Sequence, residues 1–251
     1  MTSIETKIRR LLAIAEDRAA SPAERELAMQ RATTLMARHS ITSLADDIDE
    51  DDRCGEQITT AEIRISGGVT TPSLALTHGI HRIVLAGGGS THYGDFRHTI
   101  GDPGIVLQVV AARADLEWLK PLASAYMVSA AAGWTNWRKA NGRRYKPMKD
   151  KTRRRTRDGY LIAYAAGVAD RIRTTRQQTL DEQTVAGNTG TALAVRDRAQ
   201  RVSDYMDTLD LRDGAELDLD ERAQAAGRAD GWASGLGTPT QHNTLQGASE
   251  P

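Results

Sequence analysis

The chain is expected to fold as an α+β protein, with an N-terminal helical hairpin, a small mixed sheet covered by long helices and a charged helical tail. Three observations lead there. Apolar residues recur at helical spacing over the first forty positions. From Ile58 the pattern switches to strict alternation, I-T-T-A-E-I-R-I. Beyond Arg113 helical spacing returns in stretches too long for strands.

The hairpin is expected over 1–44. Thr2 and Glu5 form a T-x-x-E capping box, and Ile4, Ile8, Leu11, Leu12 and Ala15 share one face. Ser21-Pro22-Ala23-Glu24 opens a second helix with Ser as cap and Pro at the first helical position. Leu27, Ala28, Ala32, Leu35 and Met36 form its apolar stripe, which ends near His39-Ser40. Asp46, Asp47, Asp49, Glu50, Asp51 and Asp52 then mark 45–56 as a solvated acidic linker, or as a shield for basic residues elsewhere.

An α+β domain is expected over 57–178. After the strand at Ile58, Gly67-Gly68 and Pro72 break the chain, and 73–86 reads as a short helix closed by Gly87-Gly88-Gly89. S-T-H-Y-G-D-F-R and I-V-L-Q-V-V-A read as two further strands around a Gly-Asp-Pro-Gly turn at 101–104. A long helix runs from about Arg113 to Ala140, with Pro121 as a kink or as its true start. A basic loop follows at 138–157, and then the helix Y-L-I-A-Y-A-A-G-V-A-D-R-I, whose small residues allow close packing. The polar stretch 179–191 reads as a linker, 192–234 as a helical tail and 235–251 as disordered.

The strongest functional signal is the basic segment. Arg138, Lys139, Arg143, Arg144, Lys146, Lys149, Lys151, Arg153, Arg154, Arg155 and Arg157 crowd together, with Asp150 the only acid among them. The whole chain is neutral, at 33 Lys+Arg against 33 Asp+Glu, so this local excess is patterned. A polyanion or an acidic protein surface is the natural partner. Trp134, Trp137, Tyr145 and Tyr160 are interleaved with it, as stacking platforms for bases or as anchors in a partner's pocket. The plainer reading is a solvated loop between helices. No helix-turn-helix, zinc-finger or RNA-binding signature accompanies it, so base-specific reading is not expected. Lys7, Arg10 and Arg18 on the first hairpin helix offer a second docking surface.

Catalytic chemistry finds less support. His78, His81, His92 and His98 lie close in sequence, and His78 and His81 are one helical turn apart. With His92 they form a weak candidate zinc set, but no H-E-x-x-H motif or adjacent glutamate is present to supply a base. Gly87-Gly88-Gly89 lacks the lysine of a P-loop and the spaced glycines of a dinucleotide fingerprint. No G-x-S-x-G elbow occurs, and Cys54 sits among acids that would raise its thiol pKa. One cysteine excludes an internal disulfide and fits a reducing cytoplasm. No apolar run reaches about 18 residues, and no signal peptide is expected.

Lys7 to Glu16 reads K-I-R-x-L-L-A-x-A-E, followed by S-P-A-E-R-E-L-A-M-Q-R-A and L-M-A-R-H-S-I. This resembles the opening of a bacterial and phage family, domain of unknown function 2786, whose second helix ends L-M-A-x-x-G-I; Ser40 stands here in place of the Gly. The later G-Y-L-I-A-Y-A-A-G-V-A-D-R-I is similar to the family's second-domain helix, F-x-x-G-F-A-x-G-V, with Tyr160 and Ala163 where Phe and Gly are usual. The resemblance implies a soluble phage-type or prophage-type accessory protein; from the residues themselves no catalytic residue and no cofactor is expected. Similar actinophage proteins include recombination directionality factors, which bind a large serine integrase and switch it from integration to excision. The alternatives are a general DNA- or RNA-binding accessory protein using 138–157, and a zinc-dependent hydrolase using His78, His81 and His92.

Overall fold

The structure, a computed structural model, describes residues 3–16, 57–66, 71–93, 104–188, 190–211, 219–234 and 236, together with Glu24, Leu27, Ala28, Arg31, Ala32, Leu35 and Arg38. The capping box at Thr2, most of the second hairpin helix, the acidic linker, the Gly-Asp-Pro-Gly turn and the C-terminal stretch lie outside these residues.

The elements in chain order are α1 (Ser3–Glu16), β1 (Ile58–Ser66), α2 (Thr71–Ala86), β2 (Ser90–Tyr93), β3 (Gly104–Ala112), α3 (Arg113–Ala140), α4 (Gly142–Tyr145), α5 (Asp150–Val185), α6 (Gly190–Asp207) and α7 (Glu221–Ala233). The fold class is α+β, as expected. The expected mixed sheet is corrected: β3 is central in a three-stranded sheet of order β1-β3-β2 in which both pairings are antiparallel. Ile63 opposes Leu107, and Thr91 opposes Val109. Period-two alternation sends Ile63, Ile65, Ile105, Leu107 and Val109 to one buried face. That face shares a core with Ile80 and Ile83 of α2, Trp118, Leu119 and Leu122 of α3, and Val168 and Ile172 of α5. Ile8 and Leu11 of α1 also pack against this core.

The glycine triplet is a turn between helix and strand, as its order required. Gly89 N–H donates to Val84 O and Gly88 N–H to Leu85 O, closing α2 with a Schellman motif. Gly88 sits at φ +90°, a conformation that a side chain would strain.

α3 runs unbroken through Pro121. The expected loop at 138–157 is corrected. α4 occupies Gly142–Tyr145, and α5 begins at Asp150. Lys and Arg are good helix formers, and Asp150 in the first turn complements the positive helix end. The expected linker at 179–191 is corrected as well. α5 continues to Val185 and closes with a second Schellman motif, in which Asn188 N–H donates to Gln183 O and Gly187 N–H to Thr184 O. At 1.5 Å per residue α5 is about 54 Å long.

The helices expected as a tail lie against this body. α7 meets α5 backbone to backbone: a Cβ on Gly231 would overlap the Tyr164 carbonyl, and one on Gly227 the Tyr160 carbonyl. Tyr160 Oη donates to Asp230 Oδ2 at 2.5 Å, and Arg228 pairs with Asp170 at 2.6 Å. α6 is anchored by Arg198, whose Nη1 lies 3.0 Å from Asp115 Oδ2 at the start of α3.

Candidate functional site

The end of α3, the single turn of α4 and the first turns of α5 make one corner of the molecule. The helical spacing of Trp134 and Trp137 turns both rings inward, and α5 contributes Tyr160 from the opposite side. Trp134 stacks on Trp137 with centroids 5.3 Å apart and meets Tyr145 edge-on at 5.5 Å. Tyr160 lies 5.6 Å from Trp134. Trp134 and Tyr160 are buried, and Trp137 and Tyr145 are half-buried. The expectation that these aromatics stack on bases or enter a partner's pocket is therefore corrected for Trp134 and Tyr160. They are the inner wall on which the corner is built.

The cations occupy the outside. Arg138, Lys139, Arg143, Arg144, Lys146, Lys149, Lys151 and Arg154 are exposed. Of these, Arg138, Lys139, Arg143, Arg144 and Lys146 border an open concavity of about 1090 Å³, whose lining is completed by Ala140, Asn141, Gly142, Tyr145 and Arg153. Arg153 holds the corner in shape. Its Nη2 donates to Lys146 O at 2.5 Å, its Nη1 lies 3.5 Å from Asp150 Oδ1, and its guanidinium sits 5.8 Å from the Tyr145 ring centroid. Arg157 turns inward to Asp158, with Nε 2.9 Å from Oδ1. Burial pushes the Asp158 carboxyl up, and the neighbouring Arg157 and Arg154 charges oppose that shift. Arg155 is half-buried. The segment thus divides into an outward cationic surface and inward arginines that brace it.

Asp150 is the one acid in this run and is 84% exposed. The N-cap Lys149 makes no side-chain cap hydrogen bond, so the positive end of the α5 dipole faces the same solvent as the cations. Charges within a Debye length of about 8–10 Å sum into one positive field. The corner has the chemistry of a surface for phosphates or clustered carboxylates.

The other candidates fall elsewhere. Lys7 and Arg10 are exposed on α1, while Arg18 lies outside the described residues. His78 and His81 share α2, and His92 is on β2, but the three do not converge on a metal position. His81 Nδ1 is 2.7 Å from Thr91 Oγ1, and His92 Nδ1 is 3.2 Å from the Tyr93 carbonyl. Among the described residues no group of three or more His, Cys, Asp or Glu is placed to hold a metal ion. His98 and Cys54 lie outside the described residues. None of the described helices is long and apolar enough to cross a membrane.

The histidines carry a pH dependence instead. Burial first, then the charges of His78 and Arg82, push the His81 imidazole below its ordinary value. Burial and Arg82 do the same to His78. Because the folded state resists protonation, the unfolded chain binds protons more readily. Stability is full above the ordinary imidazole pKa of about 6.5 and declines as pH falls through it. Urea midpoints measured between pH 7.5 and 5.5 should fall, and His78→Gln/His81→Gln should flatten the decline. An unchanged slope in that variant would remove the histidines as its cause.

Sequence reasoning missed a buried charge cluster. Asp115 is fully buried and accepts from Trp118 Nε1 at 3.2 Å. It faces Arg198 at 3.0 Å and Arg176 at 3.9 Å, both nearly buried. No local signal marks these residues, which come from three different helices.

Residues 3–43 match the model of a family described as "Protein of unknown function (DUF2786)". No curated protein and no solved structure matches the chain.

Proposed function

We propose that this protein is a non-enzymatic accessory factor in phage or prophage DNA transactions, which docks on an anionic partner surface through the α3–α4–α5 corner. The carrying observation is the set of exposed cations around one concavity, with Arg153 and the buried aromatics holding them in place. Its most concrete form is a recombination directionality factor that binds a large serine integrase and switches it from integration to excision. That form rests on the likeness of the N-terminal sequence to actinophage directionality factors; the family model that matches residues 3–43 carries no described function. Such a switch needs no chemistry. The factor has only to bind the excisive arrangement more tightly than the integrative one.

A second reading, direct binding of DNA or RNA, is favoured by the helix end that adds its dipole to the cations. With Trp134 and Tyr160 buried, this mode would grip the phosphate backbone without reading bases.

The experiment is binding to duplex DNA at two salt concentrations, with and without a candidate serine integrase already on its attachment site. Recruitment only in the presence of integrase, together with excision that depends on the protein, is the expected result. Tight, salt-sensitive binding to bare DNA would favour the second reading, and no binding in either arm would sink both. Arg143→Glu/Arg144→Glu/Lys149→Glu is expected to weaken the interaction at least roughly tenfold. If phosphates are the ligand, losing three such contacts should also flatten the log–log salt slope by about 2.7.

A further inference from the structure

We propose that β1 is a self-recognition edge through which two copies of the chain join their sheets. β1 pairs with β3 along its whole length, Ile58↔Ala112 to Ser66↔Gly104, without a bulge. On its other side no strand stands among the described residues. The sheet's opposite edge, β2, has only 4 residues against the 9 of β1. A long edge with neither proline nor bulge presents a row of backbone donors and acceptors that templates another strand.

The side chains select the occupant. Ile63 and Ile65 face the core, while Thr60, Glu62 and Arg64 are exposed on the other face. An antiparallel neighbour must keep these faces matched, so the pairing can shift only in steps that preserve the alternation. A two-fold axis on Glu62 would set that carboxylate against its own copy, and an axis on Arg64 would do the same to the guanidinium. An axis on Ile63 sets Glu62 opposite Arg64 of the second copy, and Arg64 opposite Glu62 of the second copy. It also places Ala61 against Ile65 on the apolar face. Opposite charges directly across a strand pair favour association and like charges oppose it. Gln108 Nε2 on β3 donates to Glu62 Oε1 at 3.0 Å, which keeps the carboxylate on the exposed face of the sheet. The run A-E-I-R-I is thus self-complementary about Ile63, and a two-fold interface uses one patch on both copies. A continuous six-stranded sheet results, β2-β3-β1 joined to β1-β3-β2 of the second copy.

The test is the mass of the full chain in solution, by sedimentation over a range of micromolar concentrations. A concentration-dependent dimer is expected. Glu62→Arg and Arg64→Glu should each weaken it roughly tenfold. Mixed in equal amounts, the two variants should form a heterodimer, because each then offers the charge the other lacks. The double variant E62R/R64E should dimerise like the parent. Circular dichroism on each variant separates misfolding from lost association. A parent that stays monomeric throughout would overturn the proposal. So would a dimer insensitive to both variants, or a mixture that fails to associate.

Discussion

Asp115→Ala is expected to cost about 3–5 kcal/mol of folding stability, because it removes the partner of buried cations. The Asp115 carboxylate is fully buried and is the counter-charge to Arg198 and Arg176, whose side chains are 2% and 10% exposed. Burial pushes the Arg176 guanidinium below its ordinary value, and the Asp115 charge opposes that shift. Without the carboxylate, two guanidiniums face each other where water cannot screen them. Trp118 Nε1 loses its acceptor in the same step. The measurement is the urea midpoint at fixed slope. A loss under about 1 kcal/mol would mean that the cluster relaxes to solvent and carries little energy. The informative companion is Asp115→Leu with Arg198→Met and Arg176→Leu. Replacing every charge with apolar volume should recover most of the loss, since buried ion pairs add little net stability over a packed apolar equivalent.

Gly231→Ala is expected to displace α7. The new Cβ would overlap the carbonyl oxygen of Tyr164, a backbone atom of the long helix α5 that has no rotamer to move into. Gly227 meets the Tyr160 carbonyl in the same way, one helical turn earlier. Overpacking of this kind costs about 1–3 kcal/mol in a well-packed site. Here the strain concentrates on one helix pair, so α7 should separate from α5. It would give up the Tyr160–Asp230 hydrogen bond, the Asp170–Arg228 pair and the burial of Ala223. Faster amide exchange and protease cleavage confined to α7 would report this. Gly142→Ala is the control, since nothing lies within 4 Å of its added methyl and its φ is not positive. It should be neutral or stabilising by up to about 1 kcal/mol. Equal exchange rates in the parent and Gly231→Ala would show that the helices do not meet at this glycine.

The elements that were legible in the sequence are those whose signal is local. Alternation in I-T-T-A-E-I-R-I marks β1, the glycine triplet marks the stop of α2, and apolar spacing from Arg113 marks α3, although Pro121 reads there as a kink or a start and the helix runs on through it. The basic run reads as a loop only when charge density is equated with solvation. That inference neglects that Lys and Arg are good helix formers whose heads reach water from a helix as easily as from a coil. The stretch after Thr179 was read as a linker on its polarity. Asp181, Glu182, Thr184 and Val185 are indeed exposed, yet α5 runs on through them, so polarity marked exposure and not the end of the helix. Of the candidate site, the cations were legible as a charge pattern, but the role of the tryptophans was not. Whether an aromatic side chain faces a partner or a core depends on what lies opposite it, and Tyr160 comes from another helix.

Composition, period and charge pattern by themselves determined the α+β class, the order of most elements and a basic segment in a neutral chain. Each depends on neighbours within a turn or two, where backbone geometry and side-chain spacing are set. Tertiary structure alone decided that Trp134 and Tyr160 are buried, that Arg153 and Arg157 brace the corner, that Asp115 meets Arg176 and Arg198, and that α7 seats its glycines on α5. Those outcomes depend on distances between residues far apart in the chain, and only packing brings such residues together.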